Sequence, residues 1–355
     1  LEEPIAALVA AVPDARIILA HAGRGDARAL AARLAGWPGV MLDTSLAALA
    51  DHVLGGARHS LGWYADPVVV TIESDDGEGG SGTASMRVQG SGAMTFDSGF
   101  VQSNDIDLTI DVDGITTLQI EARDRVGNIA TRQLDIKLDT GYPTSTPPRP
   151  SLQAGGRLGN STVPVRVQWT GSDATSGLQK FDLTENVDGG NDPVPIPLPN
   201  PLATSITRQI TPSHTYTYCV LATDNADNAL PFSDCRTAAT LTRVQEGSPA
   251  IDYSSGWTLA SNAQFSGAAV RFATVADSSA TYTFSGRSVA WVSTVGAGRG
   301  IAEVSIDGGT PVQVDLYATS QTTRKIVFVR NGLTNDEHTI TIRVTGDKHP
   351  DSVGR

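Results

Sequence analysis

From Trp63 onward the chain is patterned at period two. Val68 to Ile72, Ser85 to Val88, Ile106 to Val112, Thr117 to Ala122 and Leu134 to Lys137 alternate apolar with polar residues or are β-branched, and Gly and Asp clusters separate them. Alternation of this kind marks strands with one face in a core. Roughly seven short strands within 63–141 predict a β-sandwich. The stretch Tyr142-Pro-Thr-Ser-Thr-Pro-Pro-Arg-Pro150 breaks the pattern and predicts a semi-rigid spacer over 142–155.

A second alternating block follows over 156–243, with Val163 to Trp169 and Thr215 to Thr223 as its clearest strands. Its Pro193-Val-Pro-Ile-Pro-Leu-Pro199 run belongs on a sheet edge or in a long connection, because proline has no ladder donor. A third block, 251–355, carries strands at Ala280 to Phe284, Ser288 to Thr294, Ile301 to Ile306, Val312 to Leu316, Lys325 to Val329 and Thr339 to Val344. Asp307-Gly308-Gly309 is its hairpin turn, where glycine accepts positive φ.

Residues 1–58 are patterned differently. Pro4 to Val12 has helical spacing, Arg16 to Ala20 is a short buried-type strand, and Asp26 caps a helix over Ala27 to Ala35. Val40 to Leu42 is a second strand and Ser45 to Leu54 a further helix. Alternating helices and strands predict a parallel sheet, here too small to cover both of its faces. The fold class expected is mainly β: three tandem β-sandwich modules after a short α/β N-terminal fragment. The chain begins at Leu1 rather than Met, which reads as a cut.

The first two β blocks echo each other about 100 residues apart. Ser74-Asp75-Asp76, Ser81-Gly82 and Ala122-Arg-Asp124-Arg-Val-Gly127-Asn128 return as Ser172-Asp173, Ser176-Gly177 and Ala222-Thr-Asp224-Asn-Ala-Asp227-Asn228. Repetition at a fixed period signals repeated modules. The aspartates at strand ends suit tight turns in which a carboxylate accepts backbone N–H groups, and Asn128 and Asn228 tolerate left-handed backbone. Calcium is the rival use of Asp75, Asp76, Asp124, Asp173 and Asp224, although no D-x-D-x-D-G loop occurs.

On these residues, together with Trp63-Tyr64 and Val68-Val-Val-Thr-Ile-Glu-Ser-Asp-Asp76, the stretches 63–141 and, more loosely, 155–243 resemble bacterial immunoglobulin-like and fibronectin-type-III-like domains. That resemblance implies spacer or adhesion modules. The third block resembles a galactose-binding-like, carbohydrate-binding β-sandwich through Tyr253-Ser-Ser-Gly-Trp257, Tyr282-Thr-Phe-Ser-Gly286, Val289-Ala-Trp-Val292, Gly298 to Gly308, Val314-Asp-Leu-Tyr317 and His338 to Gly346. Such modules close with one more strand, so an exposed ladder edge is expected. Residues 1–58 resemble a slice of a metal-dependent amidohydrolase through Pro13 to Gly23 and Pro38 to Ser45. His21 is the one position matching that family's metal ligands, and one ligand does not hold zinc, so no metal is expected.

Charge supports this reading. The net charge is −12, and residues 63–143 hold 14 acidic against 5 basic residues, while 251–355 hold 9 of each. An acidic first module argues against nucleic acid as partner. No apolar run approaches the roughly 18–20 residues of a membrane span. Cys219 and Cys235 fall on what should be the last two strands of the second module. As antiparallel neighbours they could form a disulfide worth about 3 kcal/mol, consistent with export; two inert buried thiols are the alternative.

Catalytic patterns are missing from the sequence: there is no G-x-S-x-G elbow and no H-E-x-x-H pair. Val295-Gly-Ala-Gly-Arg-Gly300 leads into a strand rather than a helix, so it offers no dinucleotide loop. Arg24-Gly25-Asp26 is explained as a turn before a capped helix. Sugar sites stack a flat aromatic face on a pyranose ring, and Trp257, Arg299 and Tyr317, placed at strand ends or loops, are the candidate ligand-binding residues. Trp291 alternates with core positions and is expected to pack inside.

The sequence therefore points to a non-enzymatic, secreted or cell-surface array without cofactors, in which spacer modules present a carbohydrate-binding-like domain to polysaccharide or cell-surface glycan. Two alternatives stand: the accessory region of a larger hydrolase, and an adhesin-type stalk without a ligand.

Overall fold

The computed structural model describes residues 61–77, 81–230, 234–236 and 239–354, together with the backbone strands 17–19, 40–42 and 48–54. Among the described residues, 55% are in strands and 1% in helix. Two compact units are present. One comprises Leu1–Pro143 with Asp173–Leu178 and Thr223–Ala229; the other comprises Thr144–Ser172, Gln179–Ala222 and Leu230–Arg355.

The first sandwich packs a five-stranded sheet on a three-stranded one. The larger sheet runs in the order Trp63–Tyr64, Ile129–Leu138, Gly114–Asp124, Thr83–Gly92, Phe96–Asp97; the smaller runs Ala48–Leu54, Val68–Asp75, Asp105–Ile110. Alternation explains the core. Val68, Val70 and Ile72 from one sheet and Leu118, Ile120 and Ala122 from the other are buried together, while their odd neighbours face out. Period two carries on to the strand end and places Asp124 on the core side, 9% exposed.

Near the N-terminus, Ile17–Leu19 and Val40–Leu42 form a parallel pair, as their pattern predicts. Residues 48–54 differ from expectation: they are a strand antiparallel to Val68–Asp75, in register from Ala48↔Asp75 to Leu54↔Val69. The Ala- and Leu-rich sequence favours helix, but Val68–Asp75 would otherwise keep one edge unpaired, and strand pairing overrides a weak propensity. The other two expected helices and His21 lie outside the described residues.

In the second sandwich, Arg149–Leu152, Val163–Gln168 and Ser205–Ile210 form one sheet. The other is ordered Val194–Ile196, Leu178–Val187, Thr215–Asp224, Asp234–Cys235, with Ala239–Thr240 also on Thr215–Asp224. The strand within the proline run is thus an edge. Cys219 and Cys235 face each other across two strands and are bonded, which closes a loop of the size worth about 3 kcal/mol.

A charged group enters this core. Glu185, 9% exposed, accepts two bonds from the Arg208 guanidinium at 3.1 and 2.9 Å and one from the Tyr218 hydroxyl at 2.7 Å. Burial raises the Glu185 carboxyl, but Arg208 and Tyr218 together outweigh it and hold it below its ordinary value. Burial, then the Glu185 charge, pushes the Tyr218 phenol far up.

The third sandwich orders Ile251–Tyr253, Ser279–Ser285, Glu337–Lys348, Gly300–Ile306 and Val312–Asp315 in one sheet and pairs Ser288–Val295 with Thr322–Asn331 in another. Val304, Val314 and Ile340 are its buried centre, with Phe284, Trp291 and Phe328 packed against them. Asp307 and Gly308 both take positive φ in the expected hairpin turn. The last strand, Glu337–Lys348, lies inside its sheet rather than at an edge, and residues beyond it fold over the 296–300 loop: Val353 N–H donates to Ala297 O at 2.9 Å and Ser352 Oγ to Arg299 O at 3.0 Å.

Replacing Glu185 by Ala strands the guanidinium and the phenol. A loss of about 3 kcal/mol is expected, read as a lower denaturation midpoint for the second sandwich; an unchanged midpoint would show the network to be energetically idle.

Candidate functional site

The echoed aspartates are built by the same rule twice. Each ends a row of core-facing residues: Leu118, Ile120 and Ala122 lead to Asp124, and Tyr218, Val220 and Ala222 lead to Asp224, which is fully buried. A buried carboxylate needs several donors, and the following turn supplies them. Asp124 Oδ1 accepts from the N–H groups of Val126 and Asn128 at 3.0 and 2.7 Å, and its Oδ2 from the Asn128 amide at 2.6 Å. Asp224 Oδ1 accepts from Ala226 and Asn228 N–H, both at 2.8 Å, and its Oδ2 from the Asn228 amide at 3.0 Å.

The left-handed residues of these turns are Gly127 and Asp227, not Asn128 and Asn228. The asparagines serve the carboxylates with their side chains instead.

The partner loops repeat as well. Asp76 Oδ2 accepts from Gly82 N–H at 2.8 Å, and Asp173 Oδ1 from Gly177 N–H at 2.7 Å. Both glycines take positive φ, +82° and +81°, and their carbonyls accept from Arg125 and Asn225 N–H. At the first copy, Ser74, Asp75, Asp76, Thr83 and Asp124 line a shallow open depression.

The second copy gains a carboxylate. Asp139, fully buried just past the end of Ile129–Leu138, accepts on Oδ2 from Ser176 N–H at 2.9 Å, on Oδ1 from Gly141 N–H at 3.1 Å, and on its carbonyl from the Asn228 amide at 2.8 Å. Carboxylate oxygens of Asp139, Asp173 and Asp224 lie within 4.8 Å of one another, all inside the first compact unit. Oxygens so grouped are the donor type that hard divalent cations take, and each of the three carboxylates also accepts from backbone N–H groups. Sequence reasoning missed Asp139, which sits one residue past the end of its strand.

Charge crowding separates the copies electrostatically. Burial raises Asp124, but the Asn128 side chain and the turn N–H groups outweigh it, so it lies below its ordinary value. Burial also raises Asp224; its hydrogen bonds oppose this, Asp139 adds to it, and Asp224 ends above its ordinary value. Ionised Asp224 therefore weakens the fold. Its contribution is complete below the unfolded value, about pH 3.9, and is lost as pH rises through the raised folded value.

The candidate ligand residues fall in two places. Tyr317 and Arg299 sit on adjoining loops, because Leu316 bonds both Gly296 and Gly300. The Tyr317 ring stacks on His349, 4.3 Å between centroids and 5° from parallel, so one of its faces is covered. Trp257 belongs to another cluster. Its indole N–H donates to Ser279 O at 2.9 Å, its ring meets Tyr253 edge-on at 5.2 Å, and Arg271 lies over Tyr253 at 4.9 Å.

A second missed site is the His338–Asp307 clamp. His338, 8% exposed, places Nδ1 2.7 Å from Asp307 Oδ2 and Nε2 3.2 Å from Thr334 O. Thr339 N–H donates to Asp307 Oδ1 at 2.7 Å. Both ring nitrogens face acceptors, which suits imidazolium. Asp307 raises His338 against burial, and the Thr339 N–H and then His338 hold Asp307 low.

No protein-family model and no curated protein matches the chain. Among solved structures, it is similar to the fibronectin(III)-like modules of Clostridium thermocellum CbhA, at 12% identity over 54% of this chain and 94% of that one, with a TM-score of 0.26. It is similar to a tetra-tandem repeat in the extending region of a large adhesion protein, at 15% identity over 82% and 67%, TM-score 0.27. The FN1-FN3 domains of chicken CNTN1 give 11% identity over 86% and 95%, TM-score 0.30. The sandwiches rest on their own strand order and cores. Among the described residues, no helix is long and apolar enough to cross a membrane.

Two outcomes are expected. Asp173→Asn keeps the Oδ1 acceptor for Thr175 and Gly177 N–H and removes one of three like charges. In chelator at pH 7 the variant should melt higher than the parent. A cation held by the trio would reverse that order when calcium is added. For the clamp, stability is complete below the free imidazole value, about pH 6.5, and is lost as pH rises through the raised folded value. The third sandwich should thus melt progressively lower above neutral pH, and His338→Gln should flatten that slope.

Proposed function

We propose that this chain is a non-catalytic, extracellular array: two immunoglobulin- or fibronectin-like sandwiches act as spacers, and the third presents a glycan-contacting surface to polysaccharide or a cell surface. The observation that carries the spacer reading is the repeated end-cap. The same construction of buried aspartate, asparagine amide and left-handed turn residue closes two sandwiches in sequence, and in the second copy Asp139, which follows the last strand of the first sandwich, joins it. Side chains here hold turns, and the carboxylates of Asp124, Asp139 and Asp224 accept bonds from backbone N–H groups.

The glycan reading rests on the adjoining loops of Tyr317 and Arg299. An aromatic ring and a guanidinium carried on neighbouring loops are the group types that suit a sugar ring with its hydroxyls, and displacing His349 from its stack would free the covered face of Tyr317. Pull-down on insoluble polysaccharides and a glycan array test it. Binding by the parent chain should fall at least tenfold in Tyr317→Ala and Arg299→Ala while Trp257→Ala changes it little. A parent chain blank on every glycan would sink the presenting role and leave a stalk. Turnover of amide or glycoside substrates by the purified chain would overturn the whole reading.

A further inference from the structure

Between the first two strands of the second sandwich, the chain runs beside a strand of the third. Asn331 brackets Leu152, its side-chain oxygen accepting from Leu152 N–H at 3.2 Å and its amide donating to Leu152 O at 2.9 Å. Gly155 N–H donates to Ile326 O at 2.7 Å, Ile326 N–H to Gly156 O at 2.8 Å, and Leu158 N–H to Arg324 O at 2.9 Å, with Arg157 opposite Lys325 in antiparallel register. Arg157 Nε donates to Thr323 O at 3.1 Å. Thr322–Asn331 is paired on its other edge with Ser288–Val295, so residues 155–158 fill the edge left open.

Side chains lock the same seam. Ile326 is 1% exposed yet stands outside the core cluster of its own sandwich. Its Cδ1 would be 3.6 Å from a Cβ placed on Gly156, and that Cβ would be 3.1 Å from Pro164 Cγ. A side chain at 156 would therefore press first on Pro164, with its Cβ in ordinary contact with Ile326 across the seam. Arg324, at φ +61° in the bulged part of its strand, reaches Asn160, and Arg243 donates to Asn160 O at 3.2 Å.

We propose that this strand addition fuses the second and third sandwiches into one rigid body, with residues 155–158 serving as the edge strand of the third. Contacts between domains of a chain are usually polar side-chain interfaces that slide or hinge. A backbone ladder cannot slide without losing its register, and hinging it breaks several directional bonds together. The inference goes beyond the spacer role and holds whether or not the third sandwich binds a glycan.

Electron–electron distance measurement on the full chain tests it. Val187 and Val312 are 40% and 51% exposed, on the second and third sandwiches. Cys219 and Cys235 are bonded to each other, so spin labels at Val187→Cys and Val312→Cys occupy only those positions. One narrow distance peak is expected; a broad or multiple distribution overturns the proposal. Adding Gly156→Val should broaden the peak, with Asn331→Ala as the second variant if that chain does not fold. A peak that stays narrow in a folded variant would show that the seam is not what holds the sandwiches, and the proposal would fail.

Discussion

A carboxylate at the end of a core-facing row must be satisfied without bulk water, and that requirement organises the ends of the first two sandwiches. Asp124 and Asp224 inherit burial from the alternation of the strands that precede them. Once buried, each demands donors, and the tightest source is the turn that follows. The repeated residues divide the work between them. Asn128 and Asn228 donate side-chain amides, Gly127 and Asp227 take the left-handed backbone, and Gly82 and Gly177 let the neighbouring loop approach. The sequence echo thus builds the same turn cap twice.

The device also explains where electrostatic tension collects. One copy stands apart and is held ionised by its hydrogen bonds. The other shares its space with Asp139, and burial of like charge then wins. The third sandwich follows a different logic, pairing His338 with Asp307 so that a buried ring and an exposed turn each stabilise the ionised form of the other.

Much of this is legible in the sequence. Period-two alternation locates the sandwiches, the proline run declares an edge, Asp307-Gly308-Gly309 a hairpin, and the aspartate echo its turns. What escapes has long-range causes. Residues 48–54 look helical until the open edge of Val68–Asp75 is known. Asp139 follows the last alternating residue of its strand, and nothing local announces that it meets the turns at 173–178 and 223–229. Residue type suggests the left-handed positions for the asparagines, but their amides are needed at the carboxylates. Tyr317 and Arg299 meet through Leu316, whereas Trp257 packs with Tyr253 and Arg271, a division that spacing along the chain does not reveal.

The proline run of the second sandwich bears on the behaviour of many such chains crowded together. Pro193, Pro195, Pro197 and Pro199 share one parity. The edge strand Val194–Ile196 pairs inward with Leu178–Val187, so the donors missing from the prolines are those that would point away from the sheet. A neighbouring chain offered this edge finds carbonyls without alternating N–H groups and cannot extend the ladder. Wherever identical chains are concentrated, identical edges meet, and this edge resists turning such meetings into intermolecular sheet.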